Sequence, residues 1–119
     1  MRKTVKFPIR KFNVYVADLN PRRGTEAGKT RPVVVIQTDL LNVIHPSTII
    51  CPITSHVVSE SFLLRVHLRK GEAGLTRSSD IMVDQIRAID NRRFLKRLGI
   101  ISAANQFILL KNLQEVIQN

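Results

Sequence analysis

A cationic segment with two glycines and one glutamate, RGTEAGKTR at positions 23–31, directly precedes the β-branched run PVVVI. Glycines let a backbone approach a bulky ligand closely, and adjacent N–H groups can hold a phosphate. Arg22, Arg23, Lys29 and Arg31 surround the single acid, Glu26. These residue types fit the binding of a phosphodiester. With equal weight, they also fit a surface hairpin in which Glu26 pairs with a neighbouring cation.

If the phosphodiester is RNA, the substrate carries its own nucleophile, the 2′-OH beside the scissile phosphate. A protein that cleaves it must supply a base, a fixed cation and a hydrogen-bond donor. Glu26 is the candidate base, and Arg31 is the candidate cation because its planar fork fits two phosphate oxygens. Thr54 ends the apolar run TIICPIT and is the candidate donor, although such a threonine more often bonds to backbone.

Short apolar runs rich in β-branched residues would have to position these groups. Alternation and turn residues predict strands over 13–19, 31–38, 48–54, 61–68 and 80–89, with a helical turn in the connection 39–47. Within 13–19, Val14 and Val16 share one face, and Tyr15, Ala17 and Leu19 share the other. Pro32 should mark the beginning of its strand, and Pro52 indicates a bulge or an edge.

Helical signals appear only near the end of the chain. Asp90 and Gly99 predict a helix between them, as N-cap and C-terminal stop. Ser102 predicts the N-cap of a final helix over 102–119. Its apolar face would comprise Ala103, Phe107, Leu110, Leu113 and Ile117. Strands followed by helices predict an α+β or small-barrel fold rather than a parallel sheet.

The charge balance favours a polyanionic partner. Lys and Arg total 19 against 9 Asp and Glu, giving a net charge of +10, and the 119 residues fit one domain. Five of these cations and no acid lie in residues 1–11. We therefore predict a basic N-terminal arm over 1–11 and a single domain over 12–119. A basic surface that serves only solubility is the alternative.

Several classes of site are disfavoured by the sequence. Cys51 is the only cysteine, so no internal disulfide can form, and its apolar surroundings predict a buried structural residue. The three histidines do not cluster, and the acids are dispersed, so we expect neither a metal nor a cofactor. The absence of a signal-peptide pattern and of a long apolar stretch predicts a cytoplasmic protein without membrane contact.

Three segments together resemble the MazF/PemK family of bacterial toxin endoribonucleases. They are VYVADLNPRRGTEAGKTRPVVVIQTD, TIICPIT and DIMVDQIRAIDNRR, which match in order and spacing from Val14 to Arg93. The chain departs from the family at Phe12-Asn13, where Gly-Asp is common. The resemblance implies a small twisted antiparallel SH3-like β-barrel with appended helices, including one at the C-terminus, that forms a homodimer.

The resemblance also implies an activity. It is metal-independent cleavage of single-stranded RNA, often mRNA, at short motifs, leaving 2′,3′-cyclic phosphate and 5′-OH ends. A cognate antitoxin would neutralise it. The family pattern implies catalytic roles for Arg31 and Thr54, a less uniform role for Glu26, and positions near the bound bases for Gln85 and Arg87. We expect the remaining substrate contacts from loop residues Arg23, Gly24, Thr25, Lys29 and Thr30.

Two other functions remain open from the residues. One is a basic small-barrel module that binds RNA, or another acidic partner, without cutting it. The second is a DNA-binding repressor, which is disfavoured because the sequence shows no recognition helix.

Overall fold

The fold is described from a computed structural model, which covers residues 7–21, 24–25 and 29–118. In this part of the chain two α-helices accompany seven strands. The strands are β1 (Asn13–Asp18), β2 (Thr30–Val35), β3 (Ser47–Thr54), β4 (Arg65–Leu68), β5 (Ser79–Met82), β6 (Arg87–Asp90) and β7 (Phe94–Ile100). The helices are α1 (Asp39–Asn42) and α2 (Ala103–Ile117), and three short 3-10 turns lie at 72–74, 83–85 and 91–93. Neither α-helix has the length and hydropathy to cross a membrane.

The strands form one antiparallel sheet in the order β4-β5-β3-β2-β1-β7, with β6 also paired to β3. Strand β3 is central because β2 pairs with one of its edges while β6 and β5 share the other. The predicted α+β class, with an antiparallel sheet and a C-terminal helix, is therefore confirmed.

Side chains from the central strands enter two hydrophobic clusters. Val14, Val34 and Cys51 enter one cluster, while Tyr15 and Val33 enter the other, and all five are fully buried. This separation follows from the alternation of side chains along a strand. It confirms the predicted faces of β1 and the buried position of Cys51. Apolar burial is the main source of stability in such a sheet.

The helix predicted between Asp90 and Gly99 is wrong. Asp90 does cap a turn, because its side chain accepts a hydrogen bond from Arg92 N, but that 3-10 turn ends at Arg93. Residues Phe94–Ile100 then form β7, which pairs with β1. The ring of Phe94 packs edge-on against Tyr15 at 5.2 Å, and this tertiary packing overrides the local helical signal.

The strand predicted over 80–89 is two strands. A 3-10 turn at Val83–Gln85 separates β5 from β6. The interruption lies opposite Cys51 and Pro52, since β6 pairs with β3 only up to Ile50 and β5 begins pairing at Ile53. The strand predicted over 61–68 is also shorter and begins at Arg65. Pro32 lies two residues inside β2 rather than at its first position.

The final helix is confirmed, but its buried face differs from the predicted one. Ser102 caps it by accepting a hydrogen bond from Asn105 N. Leu109, Asn112 and Leu113 are the buried positions, whereas Phe107 and Ile117 are exposed. The helix packs on β4 and on the turn at 83–85, so the sheet selects a face that includes the polar Asn112. Of the predicted stripe, Leu113 alone is buried.

Residues preceding β1 pack against the sheet where the structure describes them. The Tyr15 hydroxyl donates to Pro8 O at 2.9 Å and accepts from Arg10 N at 2.8 Å. Lys11 N donates to the Asp39 carboxylate at 2.8 Å. Residues 1–6 of the predicted arm lie outside the described residues, and the domain boundary at residue 12 stays a prediction.

Candidate active site

The first residues of β2 and the last residues of β3 come together at one end of the sheet. Val33 is paired with Pro52, and the same antiparallel register places Arg31 opposite Thr54. Facing residues of an antiparallel pair project to the same side of the sheet. The guanidinium and the hydroxyl that the sequence singled out therefore belong to one face.

Both residues line a solvent-open cavity of about 470 Å³. Lys29 and Thr30 also line it, as do several residues that the sequence analysis missed as site residues, among them Ser55, His56, Thr76 and Arg77. The described lining contains three cationic side chains and no carboxylate. Such a cavity attracts phosphate oxygens. The sequence indicates that Arg77 lies in a cationic turn, so it was a possible phosphate-binding residue. Its position in the same cavity as Arg31, however, depends on the pairing of β5 with β3.

Hydrogen bonds close the base of the loop that carries the first motif. Leu19 N donates to Lys29 O at 2.8 Å, and Lys29 N donates to the Asn20 side chain at 2.7 Å. Lys29 itself has a positive φ of 64°, which is uncommon for a residue with a side chain. These bonds hold Lys29 in that conformation at the edge of the cavity.

Two side chains from later in the sequence contact the same loop. Arg93 donates from Nη1 to Asp18 O at 3.0 Å and to Asn20 O, fixing the start of the loop. Gln85 donates from Nε2 to Thr25 O at 2.9 Å. The structure thus brings Gln85 to the motif loop, together with Thr25 and the adjacent Gly24, whose φ is +57°.

The remaining predicted residues are not brought into the described lining of the cavity. Arg87 lies on β6 opposite Ile50, and its Nη1 is buried without a hydrogen-bond partner among the described residues. Glu26 and Arg23 lie outside the described residues. Their predicted roles, as base and as substrate contact, stay predictions.

A buried carboxylate lies directly beside Thr54. Asp80 pairs with Thr54 across β3 and β5 and with His67 across β5 and β4, and it is fully buried. One oxygen of Asp80 lies 2.6 Å from His67 Nδ1, and the other accepts from Arg65 Nη1 at 3.1 Å. The row Arg31, Thr54, Asp80 and His67 therefore crosses four strands on one face.

The same carboxylate organises the segment 55–64, which follows Thr54. Asp80 Oδ2 accepts from Val58 N at 2.8 Å, and Arg65 Nη1 also donates to His56 O at 3.0 Å. His56 N donates to the Thr54 hydroxyl at 3.1 Å. This segment, of which Ser55 and His56 line the cavity, is thus held by side chains rather than by strand pairing.

Cys51 is a poor candidate for a nucleophile. It is fully buried in β3, and burial, with the charge of Asp84 as a lesser cause, raises the pKa of its thiol to about 12. Only the thiolate is strongly nucleophilic, so Cys51 serves packing rather than chemistry.

The architecture is that of known toxin structures. MazF from Deinococcus radiodurans (Form-I) superposes with a TM-score of 0.80 at 22% identity, covering 94% of this chain and 98% of that one. The Mycobacterium tuberculosis toxin MazF-mt6 gives 0.72 at 18% identity over 87% of this chain and 93% of its own. A mycobacterial endoribonuclease in complex with its cognate antitoxin gives 0.72 at 14%, covering 92% and 93%.

These similarities define a shared fold, and the family follows from the sequence. Residues 10–117 match the model of the PemK-like, MazF-like toxins of type II toxin-antitoxin systems. The chain belongs to this family, which confirms the resemblance carried by the three sequence segments.

Proposed function

We propose that the protein is a metal-independent endoribonuclease toxin that cleaves single-stranded RNA, including mRNA, at short sequence motifs. The 2′-OH attacks the adjacent phosphate, and the products are a 2′,3′-cyclic phosphate and a 5′-hydroxyl. Membership in the toxin family supports the coarse class, an RNA-cleaving toxin. Cleavage of mRNA inhibits translation, and the activity belongs to the cytoplasm.

One observation carries this proposal: Arg31 and Thr54 line the same open cavity from facing positions of β2 and β3. Arg31 neutralises and orients the scissile phosphate, because a guanidinium can donate to two oxygens at once. Thr54 donates to the charge that develops on the phosphorane, and Glu26 accepts the 2′-OH proton. Preorganised donors of this kind lower the barrier most where charge develops.

The surrounding residues bind the RNA chain. Lys29, Thr30 and the neighbouring loop residues Arg23, Gly24 and Thr25 hold the backbone, while Gln85 and Arg87 lie near the bases. Phosphate contacts position a nucleic acid, whereas contacts to base edges supply the sequence preference. The hydrogen bond from Gln85 to Thr25 O supports this assignment, since the Gln85 amide contacts the loop that we propose to bind phosphate.

The partners of this function are a second copy of the chain and an antitoxin. The exposed Phe107, Leu110 and Ile117 on α2 leave apolar surface available for a homodimer. Light scattering at micromolar concentration tests the dimer, and a monomer would contradict it. The antitoxin supplies an acidic, partly disordered segment that lies along the cationic cavity and covers Arg31.

Incubation of the purified protein with a long unstructured RNA in excess chelator tests the activity. We expect fragments with cyclic phosphate ends that disappear in Arg31→Ala and Thr54→Ala, with both variants folded. RNA that is bound but uncut, across varied sequences, would instead indicate a non-catalytic RNA-binding module. Cleavage that requires a divalent metal would refute the metal-independent mechanism.

A further inference from the structure

We propose that His56 is the general acid of this cleavage reaction and that Asp80, acting through Arg65, is its positioning residue. The inference rests on the proposed ribonuclease function and deepens it. It concerns the departure of the 5′-oxygen. Arg31, Thr54 and Glu26 have other roles, so none of them is assigned as the proton donor for this step.

An alkoxide is a poor leaving group, so the 5′-oxygen needs a proton as its bond to phosphorus breaks. A threonine hydroxyl is a weak acid and serves better as a hydrogen-bond donor. Among the described residues that line the cavity, His56 alone carries an imidazole, the side chain most often used for proton transfer near neutral pH.

The backbone of His56 is fixed on both sides. Its N–H donates to the Thr54 hydroxyl at 3.1 Å, and its carbonyl accepts from Arg65 Nη1 at 3.0 Å. Both contacts involve the backbone, so they fix the position from which the imidazole projects. Such fixing suits catalysis, because a misplacement of about 1 Å can cost about 100-fold in rate.

Asp80 supplies the rigidity behind these contacts. Its carboxylate is fully buried and accepts from Arg65 at 3.1 Å and from Val58 N at 2.8 Å, so it holds the chain on the far side of His56. Burying a carboxylate is costly unless it is paired and hydrogen-bonded. The partners of the Asp80 side chain are Arg65 and His67 on β4 and the backbone N–H of Val58 in the segment that follows Thr54.

The charges that line the cavity beside His56 suit a phosphodiester. Lys29, Arg31 and Arg77 are the charged side chains that line the cavity in the described chain, and all are cations. They attract the phosphodiester, and with it the leaving 5′-oxygen, into the cavity that His56 also lines.

In the step itself, the 2′-oxygen forms a bond to phosphorus and its proton passes to the base, Glu26. The bond from phosphorus to the 5′-oxygen breaks, and that oxygen takes the proton of the His56 imidazolium. His56 leaves the step neutral, and the products are the cyclic phosphate and the 5′-hydroxyl. No oxidant, reductant or metal is required.

The test compares two short RNAs that span a cleavage site already mapped on the long RNA. One has oxygen and the other has sulfur at the scissile 5′ position, since a thiolate leaves without a proton. We expect His56→Gln to slow cleavage of the oxygen substrate by about 100-fold or more. Cleavage of the sulfur substrate should stay close to that of the unsubstituted protein.

His45→Gln is the matched control. His45 is also exposed but precedes the opposite end of β3, where Nδ1 lies 2.9 Å from Ser47 O, and its substitution should change neither rate. Equal slowing of both substrates by His56→Gln, or no slowing, would overturn the proposal. If the unsubstituted protein does not cut RNA, the proposed function falls too; if it cuts and His56→Gln is equally fast, only this inference falls.

Asp80→Asn tests the positioning role while preserving side-chain shape. It should slow the oxygen substrate selectively, and the double variant with His56→Gln should be no slower than His56→Gln alone, since both act through one group. Additive losses in the double variant would overturn the positioning role. So would slowing of both substrates together with a lower free energy of unfolding.

Discussion

The hydroxyl of Thr54 accepts a hydrogen bond from the backbone N–H of His56 at 3.1 Å. This bond uses a lone pair of the oxygen and leaves the hydroxyl proton available for donation. It also turns the chain immediately after β3, so that residues 54–56 contribute together to the wall of the cavity. Thr54 can therefore accept a hydrogen bond from the backbone at the end of its strand and also donate one to a ligand.

Replacing Thr54 by valine should abolish most of the ribonuclease activity. The change removes the donor and also leaves His56 N–H without its acceptor, so we expect a rate loss of about 100- to 1,000-fold. Thr54→Ser keeps the hydroxyl and should retain most activity. Rates on the long RNA, with circular dichroism to verify folding, provide the measurement. An active Thr54→Val protein would exclude a catalytic hydroxyl at this position.

Removal of the Arg31 guanidinium should have an effect of similar size. Arg31→Ala should lose about 100-fold or more in rate, and Arg31→Lys should recover little because an ammonium cannot donate in a planar fork. Arg92→Ala is the control, since Arg92 is an exposed arginine paired with Asp90 away from the cavity. A comparable loss in Arg92→Ala would indicate that bulk charge, rather than the fork of Arg31, drives the reaction.

The sequence predicts the buried strands well because their signal is local. Alternation assigned Tyr15 and Val14 to opposite faces, and β-branched runs located β2 and β3. Prediction from the sequence failed where tertiary contacts determine the secondary structure. Phe94 forms an edge-on pair with Tyr15, and this long-range contact converts a helix-like segment into β7. The buried face of α2 likewise depends on Asn112 Nδ2, which donates to Phe62 O at 2.9 Å.

Gly74 lies where the turn at 72–74 packs closely against β7. A Cβ at this position would lie 2.3 Å from Leu98 O, and its φ is +76°. Gly74→Ala should lower the free energy of unfolding by about 2–5 kcal/mol, which combines the left-handed backbone with overpacking. Urea denaturation gives the value.

Gly71→Ala is the matched control for this prediction. Its φ is +94°, but an added Cβ would meet nothing within 4 Å. It should therefore show only the backbone cost of about 1–2 kcal/mol. Equal losses in the two variants would show that the sheet relaxes around position 74.

Cys51 should contribute to a loss of stability at high pH. Burial raises the pKa of the folded thiol from 9.0 to about 12. Its stabilising contribution is therefore fully present below pH 9 and is lost as the pH rises toward 12, because the unfolded thiol ionises first. Burial also raises the pKa of Tyr15, which acts in the same direction, so the difference between variants isolates the thiol.

The comparison uses Cys51→Ala and urea denaturation at about pH 8 and about pH 10.5. Cys51→Ala should be the less stable protein at the lower pH, because it leaves a cavity. It should nevertheless lose less free energy of unfolding than the unsubstituted chain on going to the higher pH. An identical loss in the two proteins would mean that Cys51 reaches solvent when folded.

The candidate site was predictable only in part. Arg31 and Thr54 stood out because each adjoins a readable strand, whereas Arg77 and His56 lie in turns whose placement depends on the pairing of β5 with β3. Asp80 gave no signal, since a lone acid at the beginning of a strand resembles any surface carboxylate. Its role emerges only from the register that places it between Thr54 and His67.

The chain between Thr54 and β4 is attached to the sheet through Asp80 and Arg65 and to α2 through Asn112, while strand pairing fixes Arg31 and Thr54. The side chains of residues 59–64 can consequently differ without disturbing the bond-breaking chemistry, whereas Val58 N must still reach Asp80. We expect a graft of those residues from a relative to change which nucleotides are preferred and to leave the bond-breaking step intact.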